Sequence, residues 1–372
     1  MTQHGTQQPP STESTAPAPA AIERHRADGL LAFCEAALGA AGADADTAAA
    51  ASRAMLHGSR FGVDSHGVRL LDHYVTVIAG GRVKGAPDLR FHQGAAAVAT
   101  LDADHGHGAR AAYAAMDLAM EKASLYGIGA VAIRNSSHFG AAGAYALEAA
   151  ENGFIGLAFC NSDSFVRLHG GAERFHGTNP IAMGVPVRDE DPWLLDMATS
   201  AIPYNRVLLY RSLGQALPPE VASDAVGHDT TDPHAVDMLA PLGAAFGFKG
   251  AALAGVVEVF SAVLAGARLS FDIAPMGGPD FATPRNVGAF VMALKPGAFV
   301  TEMEFDVAMK RYRDTLRASC PAPGDMVMAP GDREWTVAAQ RQMEGIPIDP
   351  ATAEAFDRIA TRFALPRPRP VS

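Results

Sequence analysis

Cysteine is scarce and scattered: Cys34, Cys160 and Cys320 are the only three in 372 residues, in no paired spacing. A zinc site takes closely spaced thiolates or imidazoles, and a secreted disulfide framework takes a dense, even set. Neither is expected, and a reducing, cytoplasmic compartment is the simplest reading. No His-rich helical pair suggests another metal site. Cys160 closes the apolar run Phe154 to Phe159 and reads as a small buried hydrophobe. Long hydrophobic runs are also missing; no stretch offers about 18 uninterrupted apolar residues, so no membrane span is expected. Basic blocks are absent, and a formal net charge of −10 argues against nucleic acid, because polyanions reward clustered Lys and Arg. Residues 1–21, rich in Pro, Thr, Gln and Ala, lack the basic start and apolar run of a signal peptide and read as a disordered tail.

A conventional dinucleotide fingerprint, G-x-G-x-x-G after a first strand, is not found either. Asp104-His105-Gly106-His107-Gly108 contains a G-x-G but no third glycine. The stretch Asn135 to Gly143 (NSSHFGAAG) is a better phosphate-facing turn: it follows a predicted strand and opens a predicted helix, with Gly140 and Gly143 allowing close backbone approach.

What is present is a globular composition, 48% apolar and 19% charged, on a chain longer than one compact domain usually is. Apolar spacing predicts a helix from Ile22 to Leu38, ended by Gly39 and Gly42. A second helix follows with Asp46 as its N-cap, and a third runs from Arg69 to Ile78. Ala97 to Leu101, Ile128 to Arg134, Ile155 to Cys160, Met183 to Val187, Leu194 to Met197 and Val287 to Leu294 read as strands. Ala109 to Leu125, Ala141 to Glu151, Ala251 to Leu264, Glu302 to Arg317 and Glu334 to Glu344 read as helices. The alternation indicates α/β architecture. Helices at both ends suggest a helical domain from 22–80 with 300–360 around an α/β domain at 81–299. Asp189-Glu190-Asp191 reads as a solvated turn.

Several short motifs then occur in one order: Val63-Asp64-Ser65-His66-Gly67-Val68-Arg69 with Tyr74; Asn135 to Gly140; Asn161-Ser162; His176 to Pro180; Leu195 to Ser200; Thr230 to Pro233; Pro241 to Gly243; Phe248-Lys249-Gly250; and Pro330-Gly331. The set resembles the type 2 malate/L-lactate dehydrogenase family over roughly residues 22–350. Its relatives include ureidoglycolate and sulfolactate dehydrogenases, diketogulonate reductase and piperideine/pyrroline-2-carboxylate reductase. The resemblance implies a non-Rossmann, sulfolactate dehydrogenase-like fold, a homodimer, NAD or NADP as cofactor, and a small carboxylate substrate. It implies Ser65, His66, Asp196 and His138 as catalytic residues, with His66 as proton donor and Asp196 in a Ser–His–Asp relay. Arg69, Tyr74 and Thr178 would bind substrate. His138, Phe139, Gly140, Ala141, Ala142, Ser162, Asp196, Met197, Ala198, Phe248, Lys249, Gly331 and Asp332 would meet the cofactor. The chain departs from the pattern where Leu70 stands in the place of an arginine common among relatives, at Ile202 to Arg206, and at Ala244 to Gly247.

The chemistry needs such residues. Hydride delivery to C=O or C=N leaves a heteroatom that needs a proton, and imidazole suits neutral pH. A carboxylate substrate needs a cationic anchor; Arg69, three residues after His66, is expected on the same helical face. A carboxylate such as Asp196 can set the imidazole tautomer. The expected activity is reduction of a 2-oxo or cyclic 2-imino acid. The alternatives are oxidation of a malate-, lactate- or ureidoglycolate-like hydroxy acid, or a non-catalytic binding protein on the same fold. His57, His73, His105 and His107 are expected to be solvent or packing residues.

Overall fold

The computed structural model describes residues 22–371; the tail expected at 1–21 lies outside them. The helices are α1 (Ala27–Ala40), α2 (Ala45–Arg60), α3 (Leu71–Ala79), α4 (Gly108–Tyr126), α5 (Gly143–Glu151), α6 (Tyr204–Leu213), α7 (Phe248–Glu258), α8 (Glu302–Arg317), α9 (Asp332–Glu344) and α10 (Pro350–Phe363). A seven-stranded sheet runs in the order Arg90–Ala95, Val98–Asp102, Ile128–Ser136, Val287–Leu294, Ile155–Cys160, Ile181–Val187, Glu190–Met197. Val98–Asp102 and Ile128–Ser136, joined through α4, pair in parallel. All other neighbours in this sheet pair antiparallel. The late strand Val287–Leu294 lies between Ile128–Ser136 and Ile155–Cys160, so the turn that leads into α5 opens beside an antiparallel neighbour. A Rossmann crevice between two parallel strands is not built there, which accounts for the missing fingerprint.

Alanine decides how closely the helices approach this sheet. On α4, Ala109, Ala111, Ala112, Ala115, Ala119 and Ala123 are all fully buried, with Met116 filling the gap between them. Gly129, on the strand beneath, has no room for a Cβ because the Ala119 carbonyl occupies that space. A second apolar cluster gathers Leu30, Phe33, Met55, Leu71, Phe356 and Ile359 from α1, α2, α3 and α10. Phe33 and Phe356 sit with ring centroids 5.1 Å apart. Cys34 and Cys160 are buried and unpaired, and burial pushes the Cys160 thiol up to about 12, as packing cysteines behave.

Five local expectations change. Glu23–His25 is a strand paired with Ile346–Ile348, because a tertiary partner from the far end of the chain outweighs helical periodicity there. Asp44, two residues before Asp46, caps α2 by accepting from Thr47 N at 2.8 Å. Asp46 lies in the first turn and pairs with Arg110 at 2.6 Å. The predicted helix at 69–78 begins instead as a 3-10 turn, Val68–Leu70. The helix expected from Ala251 to Leu264 ends at Glu258 and continues as a π turn, Val259–Val263. The acidic run at 189–191 is a dock: Arg313 of α8, 1% exposed, donates to Glu190 and to Asp191 O, and Lys310 pairs with Glu190 at 2.7 Å. Among the described residues no helix is long and apolar enough to cross a membrane.

Candidate active site

The Ser65–His66 pair stands on a single 3-10 turn, Asp64–His66, which a short linker joins to α2. The turn presses close: a Cβ on Gly58 of α2 would lie 2.5 Å from the His66 carbonyl oxygen. The Ser59 hydroxyl accepts from Val68 N at 2.9 Å and secures the exit. Ser65 Oγ lies 2.8 Å from His66 Nδ1, leaving Nε2 without a hydrogen-bond partner among the described residues. Burial holds the His66 imidazole below its usual range.

Facing it is His138. The two rings are nearly parallel, with centroids 5.6 Å apart and an interplanar angle of 24°. Tyr74, 2% exposed on α3, lies with its hydroxyl 2.8 Å from His138 Nδ1. Burial drives the phenol far above its ordinary range, so Tyr74 keeps its proton. Burial, then the charge of His66, hold His138 well below the imidazole range. A phenol and a neutral imidazole with one mutual contact are best satisfied when Tyr74 O–H donates to Nδ1, which puts the His138 proton on Nε2. His107, read from the sequence as solvent or packing, is fully buried. Its Nδ1 caps α4 by accepting from Ala109 N at 3.1 Å, and its ring meets Tyr74 edge-on at 4.2 Å.

Asp196 is the penultimate residue of the edge strand Glu190–Met197. Burial raises its carboxyl to about 6, opposed by the N–H of Gly143 at the start of α5. A Cβ on Gly143 would come 2.7 Å from Asp196 Oδ2, so only glycine lets helix and carboxylate meet. No hydrogen bond joins Asp196 to His66 among the described residues; Ser65 holds the imidazole. Arg69 does not share a helical face with His66: Gly67 adopts extended backbone between two separate 3-10 turns, and Arg69, half exposed, faces Asp349 at 3.9 Å. Its guanidinium is directed to the start of α10.

The other motif residues fall into four groups. Ser162 and Thr178 meet where Ser162 Oγ accepts from Thr178 N at 3.2 Å. Thr199 Oγ1 donates to the carbonyls of Thr178 and Asn179, both at 3.1 Å, which ties in the segment after Met197 and Ala198. Behind them Glu258, unforeseen in the sequence, is a buried carboxylate accepting from Asn161, Asn179 and both N–H and O–H of Ser270. Phe139, Gly140, Ala141 and Ala142 are buried. Phe248 and Lys249 are exposed, with Lys249 Nζ 5.3 Å from the Phe246 ring centroid. Gly331 takes φ +97 at the entry to α9, and Asp332 is engaged by Arg317 and by Ala329 N at 2.8 Å.

A nicotinamide dinucleotide needs hydrogen-bond donors and acceptors for ribose and carboxamide, and a cation for phosphate. The Ser162 hydroxyl accepts one bond and keeps its proton to donate; Asp196 supplies an acceptor; Lys249 has no carboxylate partner among the described residues. These residues fit the group.

The sequence matches the malate/L-lactate dehydrogenase family over residues 26–357. A malate dehydrogenase of Pyrococcus abyssi is 35% identical over 312 residues, 82% of this chain and 85% of that protein. A ureidoglycolate dehydrogenase (NAD(+)) of Escherichia coli is 32% identical over 309 residues, 83% and 87%. A Δ1-pyrroline-2-carboxylate/Δ1-piperideine-2-carboxylate reductase of Pseudomonas putida is 34% identical over 292 residues, 78% and 83%. Among solved structures, malate dehydrogenase from Pyrococcus horikoshii superposes with a TM-score of 0.84 at 30% identity, covering 93% of this chain and 97% of that one. Sulfolactate dehydrogenase from Methanocaldococcus jannaschii gives 0.86 at 28% identity, covering 93% and 98%. The matched relatives are named dehydrogenases and reductases, which removes the non-catalytic reading. The chain is an oxidoreductase of the malate/L-lactate dehydrogenase family.

Proposed function

We propose that this enzyme moves a hydride between NAD or NADP and C2 of a small 2-oxo or cyclic 2-imino carboxylic acid, as a cytoplasmic homodimer. The cofactor supplies the hydride. The chain's own part is to exchange the proton at the reacting heteroatom, and the observation that carries the reading is the Ser65–His66 pair. Nδ1 is held at 2.8 Å by Ser65, while Nε2 has no hydrogen-bond partner among the described residues and lies against the stacked ring of His138. In reduction, a protonated His66 gives its proton to the substrate oxygen or nitrogen as the hydride reaches C2, which yields the alcohol or the amine and leaves the ring neutral. In oxidation the neutral ring takes that proton back. Tyr74, buried and bonded to His138 Nδ1, supports His138 as a donor at Nε2 that orients the same heteroatom.

Oxidation of a 2-hydroxy acid is the second reading, favoured by burial keeping both imidazoles neutral in the free protein. The test is a screen of NADH and NADPH oxidation against a panel of 2-oxo acids and cyclic imines, with the reverse reaction on the matching hydroxy acids. His66→Ala is expected to lower turnover by roughly 10²–10⁴ while cofactor affinity stays within a few-fold. Turnover close to wild type would remove His66 from the proton transfer.

A further inference from the structure

Arg341, on the last turn of α9, reaches across to the turn that carries His66. Its Nη1 donates to Asp64 Oδ1 and to Ser59 O, each at 2.5 Å, and its Nη2 donates to Asp64 Oδ2 at 2.9 Å. Asp64 is the residue before Ser65 and opens the 3-10 turn; Ser59 closes α2 and holds Val68 N. One guanidinium therefore grips the catalytic turn and the helix it leaves. The other end of α9 docks on the edge strand that carries Asp196: Pro330 O accepts from Leu194 N at 3.2 Å, and Trp335 Nε1 donates to Pro192 O at 2.9 Å. Between the two ends, the Trp335 ring meets Phe61 edge-on at 4.8 Å, and a Cβ on Gly62 would lie 3.1 Å from Val337. The helix thus spans from the strand of Asp196 to the turn of His66, touching the linker between α2 and that turn.

We propose that Arg341 is a positioning residue, acting through Asp64 to hold the Ser65–His66 turn in register with His138. The inference rests on His66 exchanging the proton. A planar fork on a carboxylate fixes orientation as well as distance, which a lysine cannot reproduce. Asp64 is half exposed, and ion pairs of that kind add little to global stability. The pair's consequence is therefore expected in the geometry of the turn, where small displacements of a reacting group are costly.

The experiment compares Arg341→Ala, Arg341→Lys and Asp64→Asn with wild type, each also combined with His66→Ala, using the substrate that the panel identifies. Arg341→Ala is expected to lower kcat on the order of 10- to 100-fold with cofactor affinity within about twofold. Arg341→Lys should restore only part of the loss, and Asp64→Asn should resemble Arg341→Ala. In the His66→Ala background none of the three should lower kcat further. Side-chain 15N spectra of the histidines, assigned by difference with His66→Ala, should show the His66 nitrogens moving toward values averaged over both tautomers in Arg341→Ala. If Arg341→Ala does not fold, the lysine and asparagine variants decide. Unchanged kcat in these variants, or the same fractional loss with and without His66, overturns the proposal. If His66→Ala itself keeps its rate, the reading of His66 fails and takes this inference with it; if only the Arg341 and Asp64 variants are silent, this inference alone fails.

Discussion

At the scale of single residues, burial sets the protonation states on which the proposed chemistry runs. His66 and His138 are both held below the imidazole range by desolvation, so the free enzyme carries them neutral near pH 7. Reduction needs the protonated form of His66, oxidation the neutral form. In the free enzyme kcat/KM for reduction should therefore fall as pH rises, and for oxidation rise, with an inflection below about 6.5. Initial rates in both directions across pH 4–9 check this; an inflection at or above the ordinary imidazole value would move the proton to another group. Asp196 titrates in the opposite sense. Its carboxyl is raised from 3.8 to about 6 by burial, so between these values the folded state binds more protons than the unfolded one and stability falls as pH rises. Above about pH 6 the full cost, about 3 kcal/mol, is in place. Asp196→Asn, which copies the protonated group, should raise Tm at pH 8, with the gain vanishing at pH 4. A gain that does not depend on pH would show that charge is not its cause. The glycines also acquire definite reasons. Gly140 was expected to admit a cofactor, and its φ of +82 is sufficient reason for glycine. Gly143 makes room for Asp196.

At the scale of elements, the segments that carry Asn161 and Asn179 are braced by α7. Glu258, where α7 gives way to the π turn, accepts from Ser270 N at 2.6 Å, Ser270 Oγ at 2.7 Å, Asn179 Nδ2 at 3.0 Å and Asn161 Nδ2 at 3.4 Å. Four donors on one buried carboxylate leave no place for an N–H. Glu258→Gln turns one amide N–H₂ toward them and should cost about 1–3 kcal/mol, lowering Tm by several degrees. Because Asn161 and Asn179 neighbour Ser162 and Thr178, the apparent KM for the cofactor should rise as well. Calorimetry with steady-state kinetics tests both; wild-type values would mean the network adds nothing to folding or binding. Apolar spacing revealed α4 nearly to the residue because it buries a regular face, and the strands Ile155–Cys160 and Val287–Leu294 because they are short apolar runs in the middle of the sheet; α8 was read with the same bounds although Arg313 is the one residue of it that is buried. Arg90–Ala95, exposed along its whole length, gave no such pattern, and α10 was likewise unread.

At the scale of the whole molecule, α7 and the π turn leave Leu253, Val256, Val259 and Val263 exposed, with Phe246 and Phe248 beside them. A continuous apolar face of this kind is unfavourable in water and supports the homodimer proposed above. Val256→Asp should shift sedimentation toward the monomer at micromolar concentration, while the monomer keeps its far-UV circular dichroism. An unchanged sedimentation coefficient would remove this face from the interface.

By itself, the sequence determined the α/β class, the family, and the small set of residue types able to hold a proton and a dinucleotide. Those depend on local periodicity and on short motifs, which a linear reading contains. Tertiary structure alone decided which of those residues meet. Ser65 and His66 are neighbours in the chain and were legible together. The Tyr74–His138 bond spans 64 residues and the Arg341–Asp64 pair 277, and no spacing rule connects them. The same holds for Arg69, whose place beside His66 followed from helical spacing until Gly67 broke the helix and turned the guanidinium toward Asp349. Local sequence sets the conformations each residue can adopt; the packing of distant segments selects among them, because only there are desolvation and pairing energies realised.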